Sequence, residues 1–436
     1  MSKVADLKFN TTISTLGNGK IKNPMRNKRF VDDSKPQTLI MTPEELAELE
    51  NHTMAMKFQK AGPREKIYFD PSKTKCAVVT AGGMCPGVND VIRSLVMEAH
   101  YNYGVRSVLG IRNGFRGFIP KYGYDVVDLT TDRVTDIHHF GGTILGSSRG
   151  LQDAIEIVDS LERLNINVLF VIGGDGSMRA AKSIVDEIEK RKRKIAVIGI
   201  PKTIDNDINF ITRSFGFDTA VEKATEAIQC AHVEARGVDN GIGLVKLMGR
   251  EAGFIAAQAT LALQEVNFVL VPEVPFTLDG EHGLLAALER RLLTSDHAVV
   301  VCAEGAGQDL MAEKVQRDES GNPKLGDICG LLSKRIREHF NCKDLECNMK
   351  VIDPSYMIRS VPANAADRVY CNFLGQQAVH AAMAGKTGMV VTHLKSSMVH
   401  LPLELVALKR RSLNIHSDYW VTVMESTGQQ SYLDPV

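Results

Sequence analysis

From residue 75 onward the chain repeats one texture: a short apolar run, a glycine or proline break, then a longer stretch with apolar residues at helical spacing. Lys75-Cys-Ala-Val-Val-Thr80 predicts a buried strand that breaks at Gly82-Gly83, with a helix over Val88–His100. Val168-Leu-Phe-Val-Ile172 predicts a second strand, ending at Gly173-Gly174 and followed by a helix from Met178 to about Lys190. Ile195–Ile200 predicts a third, and 243–247, 268–271 and 298–302 add more. Apolar strands this short, alternating with helices, predict a parallel α/β architecture. Residues 1–40 break the pattern. They are polar, weakly basic and rich in Asn, Lys and Thr, and predict an arm rather than a domain. Thr42, Pro43 and Glu45 have the spacing of a capping box and predict a short helix, and a linker around Gly62-Pro63 leads into the main body.

Composition narrows the function classes. The 436 residues carry 52 Lys+Arg against 52 Asp+Glu, so the formal net charge is zero. A balanced chain offers no global field to nucleic acid or to an anionic membrane, though a local basic pocket for a phosphorylated small molecule is compatible with it. No apolar run approaches the ~18–20 residues of a membrane span. The N-terminus lacks the apolar core of a signal peptide, so a cytoplasmic location is expected. None of the eight cysteines forms C-x-x-C, and Cys342 and Cys347 have no second ligand pair, so the expectation is reduced, mostly structural thiols. The basic stretch Glu187–Lys194 lacks interleaved aromatics and suits a solvated helix end. His138-His139 lacks a ligand set and is expected to be structural or exposed.

In open α/β sheets, ligands bind beyond the carboxyl ends of strands, and the segments there carry the candidate chemistry. Ala81-Gly82-Gly83-Met84-Cys85-Pro86-Gly87 suits close approach to a phosphate, or is merely a tight turn. Gly173-Gly174-Asp175-Gly176-Ser177 suits a nucleotide phosphate with its Mg²⁺, with Asp175 meeting the metal; the alternative is an Asp N-cap on the next helix. Pro201-Lys202-Thr203-Ile204-Asp205-Asn206-Asp207 places two carboxylates two residues apart at a strand end, one to take a proton and one to hold metal. An Asx-turn loop is the bland alternative. In Met248-Gly249-Arg250-Glu251-Ala252-Gly253, Arg250 suits a bidentate phosphate contact, or is a surface Arg at a helix start. Glu304, in Ala303-Glu304-Gly305, suits a sugar hydroxyl. Lys350, Tyr356 and Arg359, around Asp353-Pro354-Ser355, suit a phosphate clamp.

In this order and spacing, AGGMCPGVN, GGDGS, PKTIDND, LVKLMGREAG, VPEVPF and DPSYMIR resemble the phosphofructokinase family over roughly residues 72–420. The resemblance implies an α/β fold of two Rossmann-like three-layer lobes with parallel-rich sheets, plus an N-terminal extension. It implies a donor-binding lobe of 72–216 with about 360–410, a sugar-phosphate lobe of 217–359 with about 411–436, and an arm of 1–71. Asp205 would be the base that activates the 1-hydroxyl of fructose 6-phosphate; Asp175 and Asp207 would serve Mg²⁺. Thr203 would contact the transferred phosphoryl group or the sugar, and Arg149 and Arg250 would stabilise its charge. Met248, Gly249 and Glu304 would line the sugar site, and Lys350, Tyr356 and Arg359 would hold the 6-phosphate. Gly83, Gly174, Gly176 and Ser177 would form the donor site with Arg149 and Asp175.

The resemblance implies that Gly176 and Lys202 select the donor. In this family pyrophosphate users typically carry Asp at the first position and Lys at the second, whereas the short bacterial ATP enzymes have Gly at the second. Gly176 with Lys202 resembles ATP-using members of the pyrophosphate-type branch, with a pyrophosphate-dependent enzyme as the alternative. The resemblance also implies a glycolytic role and a homodimer or homotetramer. Two departures stand out. Gly241 occupies the position where bacterial members carry a partner-subunit Arg. Arg93 and Glu273 match a bacterial effector site whose other basic positions fall on Met97, Leu293 and Ser295, so regulation through that site by ADP or phosphoenolpyruvate is not expected. Other small-molecule kinases share the GGDG turn but not PKTIDND or DPSYMIR. A dehydrogenase is disfavoured because no G-x-G-x-x-G follows the first strand. A catalytically dead regulatory homologue would be expected to have lost Asp175, Asp205 or Arg250, and all three are present.

Overall fold

The computed structural model describes residues 10–26, 29–40, 55–311, 325–394, 397–407 and 410–433. The helix predicted at Thr42 to Glu45 lies outside them. The chain forms two compact units, one drawn from Met1–Thr203, Ile208–Phe215 and Pro362–Arg410, the other from Ile204–Asp207, Gly216–Val361 and Arg411–Val436.

The first unit is built on a nine-stranded sheet. Its centre is parallel: Met389–Leu394, Ala196–Pro201, Val168–Gly173, Lys75–Thr80 and Ser107–Ile111 lie side by side in that order. Every residue of Val168–Gly173 and Ala196–Pro201 is buried, because helices cover both faces. Ala154–Arg163 and Asp175–Lys190 pack into the core on one face, and Ala365–Met383, against Val88–Met97, packs on the other. The margins are antiparallel: Ser397–Pro402, Ala55–Lys60 and Gln37–Ile40 on one side, Val127–Asp128 on the other. The N-terminal extension therefore contributes strands to the sheet. It is also strapped elsewhere: Ser14–Thr15 pairs with Lys386–Thr387, and Asp33 bonds both Arg64 (2.6 Å) and Lys386 (2.8 Å).

The second unit has a four-stranded, wholly parallel sheet in the order Phe268–Leu270, His297–Ala303, Gly241–Leu247, Asn348–Ile352. Leu284–Ser295 and Ile328–Cys342 pack on one face, Phe217–Arg236 and Phe254–Leu263 on the other. The Gln429 side chain accepts a hydrogen bond from Val269 N (2.8 Å), which satisfies an edge-strand donor.

Predicted and observed strands agree to within a residue or two at these positions. The helix expected from Met178 begins at Asp175, because Gly174 takes the extended N-cap conformation and Asp175-Gly176 already turn. The helix expected over 88–100 is α-helical only to Met97, then π-helical over Glu98–Tyr103, which brings the Tyr103 hydroxyl to 2.9 Å from His380 Nδ1. The basic stretch 187–194 ends its helix at Lys190, and its arginines pair with Asp159, Glu162 and Glu187.

Candidate active site

In the first unit three strand ends and a loop meet. Thr80 Oγ1 donates to Gly146 O (2.6 Å), Gly82 N to Ser148 O (3.2 Å) and Ser147 Oγ to Gly82 O (2.6 Å). These bonds lay the 143–149 loop along the 81–83 turn and bring Arg149 beside Gly83, where an added Cβ would lie 4.0 Å from the guanidinium. Lys202 ties in the other two strand ends. Its backbone N donates to Gly173 O (2.9 Å), and its buried Nζ donates to Gly83 O (2.5 Å). Gly173 is required here, since a Cβ would meet Ser177 at 2.4 Å, and one at Gly174 would press on Lys202 O at 3.2 Å. Gly83, Arg149, Gly174, Asp175, Gly176, Ser177 and Lys202 thus belong to converging turns of one unit.

Gly176 differs from its neighbours. It lies in the helix Asp175–Lys190 without a positive φ, and the nearest atom to an added Cβ is Arg179 Nη2 at 3.8 Å. Neither backbone nor packing demands glycine, although in a helix it costs about 1 kcal/mol relative to Ala. Asp175 is not the helix cap: it is the first helical residue, its carboxylate 2.6 Å from Arg179 and 3.5 Å from Arg410. Sequence reasoning missed both arginines. Arg179 was legible as the i+4 partner of Asp175, whereas Arg410 stands in no motif.

The PKTIDND segment passes from the first unit to the second between Thr203 and Ile204. Thr203 O accepts from Ser214 Oγ (2.7 Å), and Asp207 O accepts from Arg411 N (2.7 Å). Between the carboxylates Asn206 sits at φ 55°, a left-handed conformation asparagine tolerates, so Asp205 and Asp207 stand on a turn. Asp205 is half-buried and Asp207 buried. Asp175 and Asp207 each offer the hard carboxylate oxygens that Mg²⁺ prefers, and such an ion commonly completes its shell with phosphate oxygens and water. That donor chemistry fits the ion.

In the second unit the Met248-Gly249-Arg250 turn is stitched to Glu304. Glu304 N donates to Leu247 O (2.9 Å) and Gly305 N to Gly249 O (3.0 Å). Gly249 has φ 137°, and a Cβ at Gly305 would lie 2.0 Å from Arg250 O, so both glycines are needed for this approach. Burial raises the Glu304 carboxyl above its ordinary 4.5, while Arg250, Lys246 and Arg359 pull it the other way. Those opposing cations gather Arg250, Glu304 and Arg359 into one electrostatic neighbourhood, together with Lys246, which lies in the LVKLMGREAG block but had been given no role. Arg359 lies 4.9 Å over the Tyr356 ring on the short helix Ser355–Arg359. Lys350 stands exposed within the strand Asn348–Ile352, upstream of that helix. At Gly241 a Cβ would fall 1.9 Å from Ala235 O, so this backbone admits no arginine there. Glu273 accepts from Gly253 N (3.1 Å) and Leu413 N (2.8 Å), bracing two loops.

The phosphofructokinase family profile matches residues 75–382. The chain belongs to the phosphofructokinase family. It is 50% identical over 378 residues to the ATP-dependent 6-phosphofructokinase of Borreliella burgdorferi, covering 85% of each chain. It is 49% identical over 401 residues to that of Amycolatopsis methanolica, covering 89% of this chain and 87% of the relative. ATP-dependent 6-phosphofructokinase 7 of Arabidopsis thaliana is 48% identical over 407 residues, covering 93% of this chain and 82% of that one. Among solved structures, a pyrophosphate-dependent phosphofructokinase from Marinobacter aquaeolei matches with TM-score 0.67 at 22% identity, over 83% of this chain and 91% of that one, a likeness of fold. The family blocks expected from sequence between AGGMCPGVN and DPSYMIR all fall inside the matched span. Among the described residues no helix is long and apolar enough to cross a membrane.

Proposed function

We propose that this chain transfers the γ-phosphoryl group of ATP to the 1-hydroxyl of fructose 6-phosphate, giving fructose 1,6-bisphosphate and ADP. The relatives that carry this activity in their names are about half identical to it over most of its length. The observation that carries the donor reading is Gly176. It is a glycine that its own fold does not require, at the start of a helix in a cradle of strand-end turns. Its use is room for the α-phosphate of a nucleotide, where an aspartate would crowd and repel it.

In this reading Asp205 takes the proton of the 1-hydroxyl as that oxygen attacks the γ-phosphorus and the bond to the β-phosphate oxygen of ADP breaks. Thr203 orients the transferring group. Arg149 and Arg250 stabilise the charge spread over its equatorial oxygens, the main requirement of a loose transition state. Gly83, Gly174 and Ser177 supply backbone and hydroxyl contacts to the donor. Lys202, already committed to Gly83 O, holds the cradle in shape. Met248, Gly249 and Glu304 bind the sugar, and Lys350, Tyr356 and Arg359 the 6-phosphate. Mg²⁺, held through Asp175 and Asp207, would neutralise phosphate charge when bound. The donor-binding and sugar-phosphate roles fall to the first and second units respectively. A homodimer or homotetramer working in the cytoplasm, in glycolysis, completes the proposal.

Replacing Asp205 tests the mechanism. Asp205→Asn should lower kcat by about 10²–10⁴, the usual worth of a positioned base, with a much smaller change in KM for either substrate. Turnover within a few-fold of wild type would remove Asp205 from the role of base.

A further inference from the structure

The phosphate clamp stands on a weak element. The helix Ser355–Arg359 has five residues, far short of the ~12–15 at which an isolated helix begins to be stable. Its one fully buried side chain is Ile358. Tyr356, by contrast, is 74% exposed. So short a helix, with one apolar anchor and packed against Phe217–Arg236, draws its direction from tertiary contacts.

Asp353 sets it. Oδ1 accepts from Ser355 N (3.1 Å) and from Ser355 Oγ (2.5 Å), closing the turn that starts the helix. Oδ2 lies 2.5 Å from Lys246 Nζ. Lys246 is the penultimate residue of the strand Gly241–Leu247, and by strand alternation it points to the same face as core residues Ile242 and Leu244. Its side chain is mostly buried, and its ammonium is held charged, against burial, by Asp353 first and Asp327 next. This largely covered lysine stands on a central strand, two residues from Met248 and four from Arg250. The same ammonium acts on the Glu304 carboxyl.

We infer that Lys246 is a positioning residue for fructose 6-phosphate: by gripping Asp353 it locks the helix bearing Tyr356 and Arg359 to the strand that carries the Met248-Gly249-Arg250 turn. Substrate is not touched by Lys246 itself. The inference rests on the reading of Tyr356 and Arg359 as the 6-phosphate clamp. It assigns phosphate affinity to an ion pair between two family blocks, LVKLMGREAG and DPSYMIR, and neither member of the pair had been given a role.

Steady-state kinetics of Lys246→Met, Asp353→Asn, the double variant and Lys246→Arg test it. Asp353→Asn keeps an oxygen for Ser355 and sits on a half-exposed side chain, so it covers the case in which Lys246→Met fails to fold. Each single variant should raise KM for fructose 6-phosphate about tenfold, the order expected when a binding group loses alignment. Their kcat at saturating sugar phosphate and KM for ATP should stay within about twofold of wild type. The double variant should be no worse than either single one, because both remove the same contact, and Lys246→Arg should recover much of the loss. Additive effects, or a fall in kcat with KM unmoved, would overturn the inference. Arg359→Ala separates the two layers. If it raises KM for fructose 6-phosphate and the Lys246 and Asp353 variants do not, the positioning role alone fails. If Arg359→Ala also leaves KM unchanged, the clamp reading fails with it.

Discussion

In the proposed reading, single side chains set donor choice and sugar binding. Gly176→Asp introduces a carboxylate where an added Cβ meets only ordinary contact with the Arg179 side chain, so the fold should tolerate it. Charge repulsion and crowding of several kcal/mol against the α-phosphate should then cut kcat/KM for ATP by about a hundredfold. Fructose 6-phosphate binding, measured separately, should change little; equal losses for both ligands would remove the steric argument. Glu304 gives a pH signature. Burial raises its carboxyl, so on acidification it protonates earlier than an ordinary glutamate. A protonated Glu304 accepts a sugar hydroxyl poorly, and KM for fructose 6-phosphate should climb at a pH above the usual carboxylate range. Glu304→Gln should raise KM at neutral pH and flatten that acid limb; an acid limb that persists unchanged in Glu304→Gln would assign it to another group. The motif residues were legible because glycine, lysine and aspartate at strand ends have few other reasons to coincide. The roles of Lys246 and Arg410 were not: Lys246 stands in the LVKLMGREAG block as a strand residue, Arg410 stands in no block, and only folding brings them to Asp353 and Asp175.

At the scale of elements, the central strands were legible from their apolar runs, since strands buried on both faces have little freedom of composition. The N-terminal segment was not. Its polar texture suggested a loose arm, yet Ala55–Lys60 and Gln37–Ile40 pair onto the main sheet, and pairing uses backbone groups that composition does not reveal. The strap at Asp33 shows what fastens it. Arg64 and Lys386 are both buried cations, and Asp33 is their shared counter-ion. Burial alone would raise the Asp33 carboxyl, but Lys386 and Arg64 hold it below its ordinary 3.8. A depressed carboxylate stabilises the fold above its unfolded pKa and loses that contribution as pH falls through its folded value. Asp33→Ala should therefore cost about 2 kcal/mol at neutral pH, less than the 3–5 of a fully buried pair because solvent screens its exposed half. Chemical denaturation of both proteins should show the difference shrink progressively as pH falls below about 4. A wild-type stability at neutral pH would mean that the backbone pairing alone holds the extension.

At the scale of the whole molecule, the two units share a plan, a parallel sheet with helices on both faces, and the chain crosses between them within PKTIDND. The family was legible from six blocks spread over most of the length, and the close relatives bear the ATP-dependent name expected from Gly176 with Lys202. The solved structures that match share the fold at low identity and include pyrophosphate-dependent enzymes, so the donor is proposed from side chains rather than from the fold. The most direct test is therefore a coupled assay of the purified protein with fructose 6-phosphate and Mg²⁺, comparing ATP with pyrophosphate and identifying the product. The account predicts fructose 1,6-bisphosphate formed with ATP and little or none with pyrophosphate; turnover with pyrophosphate equal to or above that with ATP would contradict it.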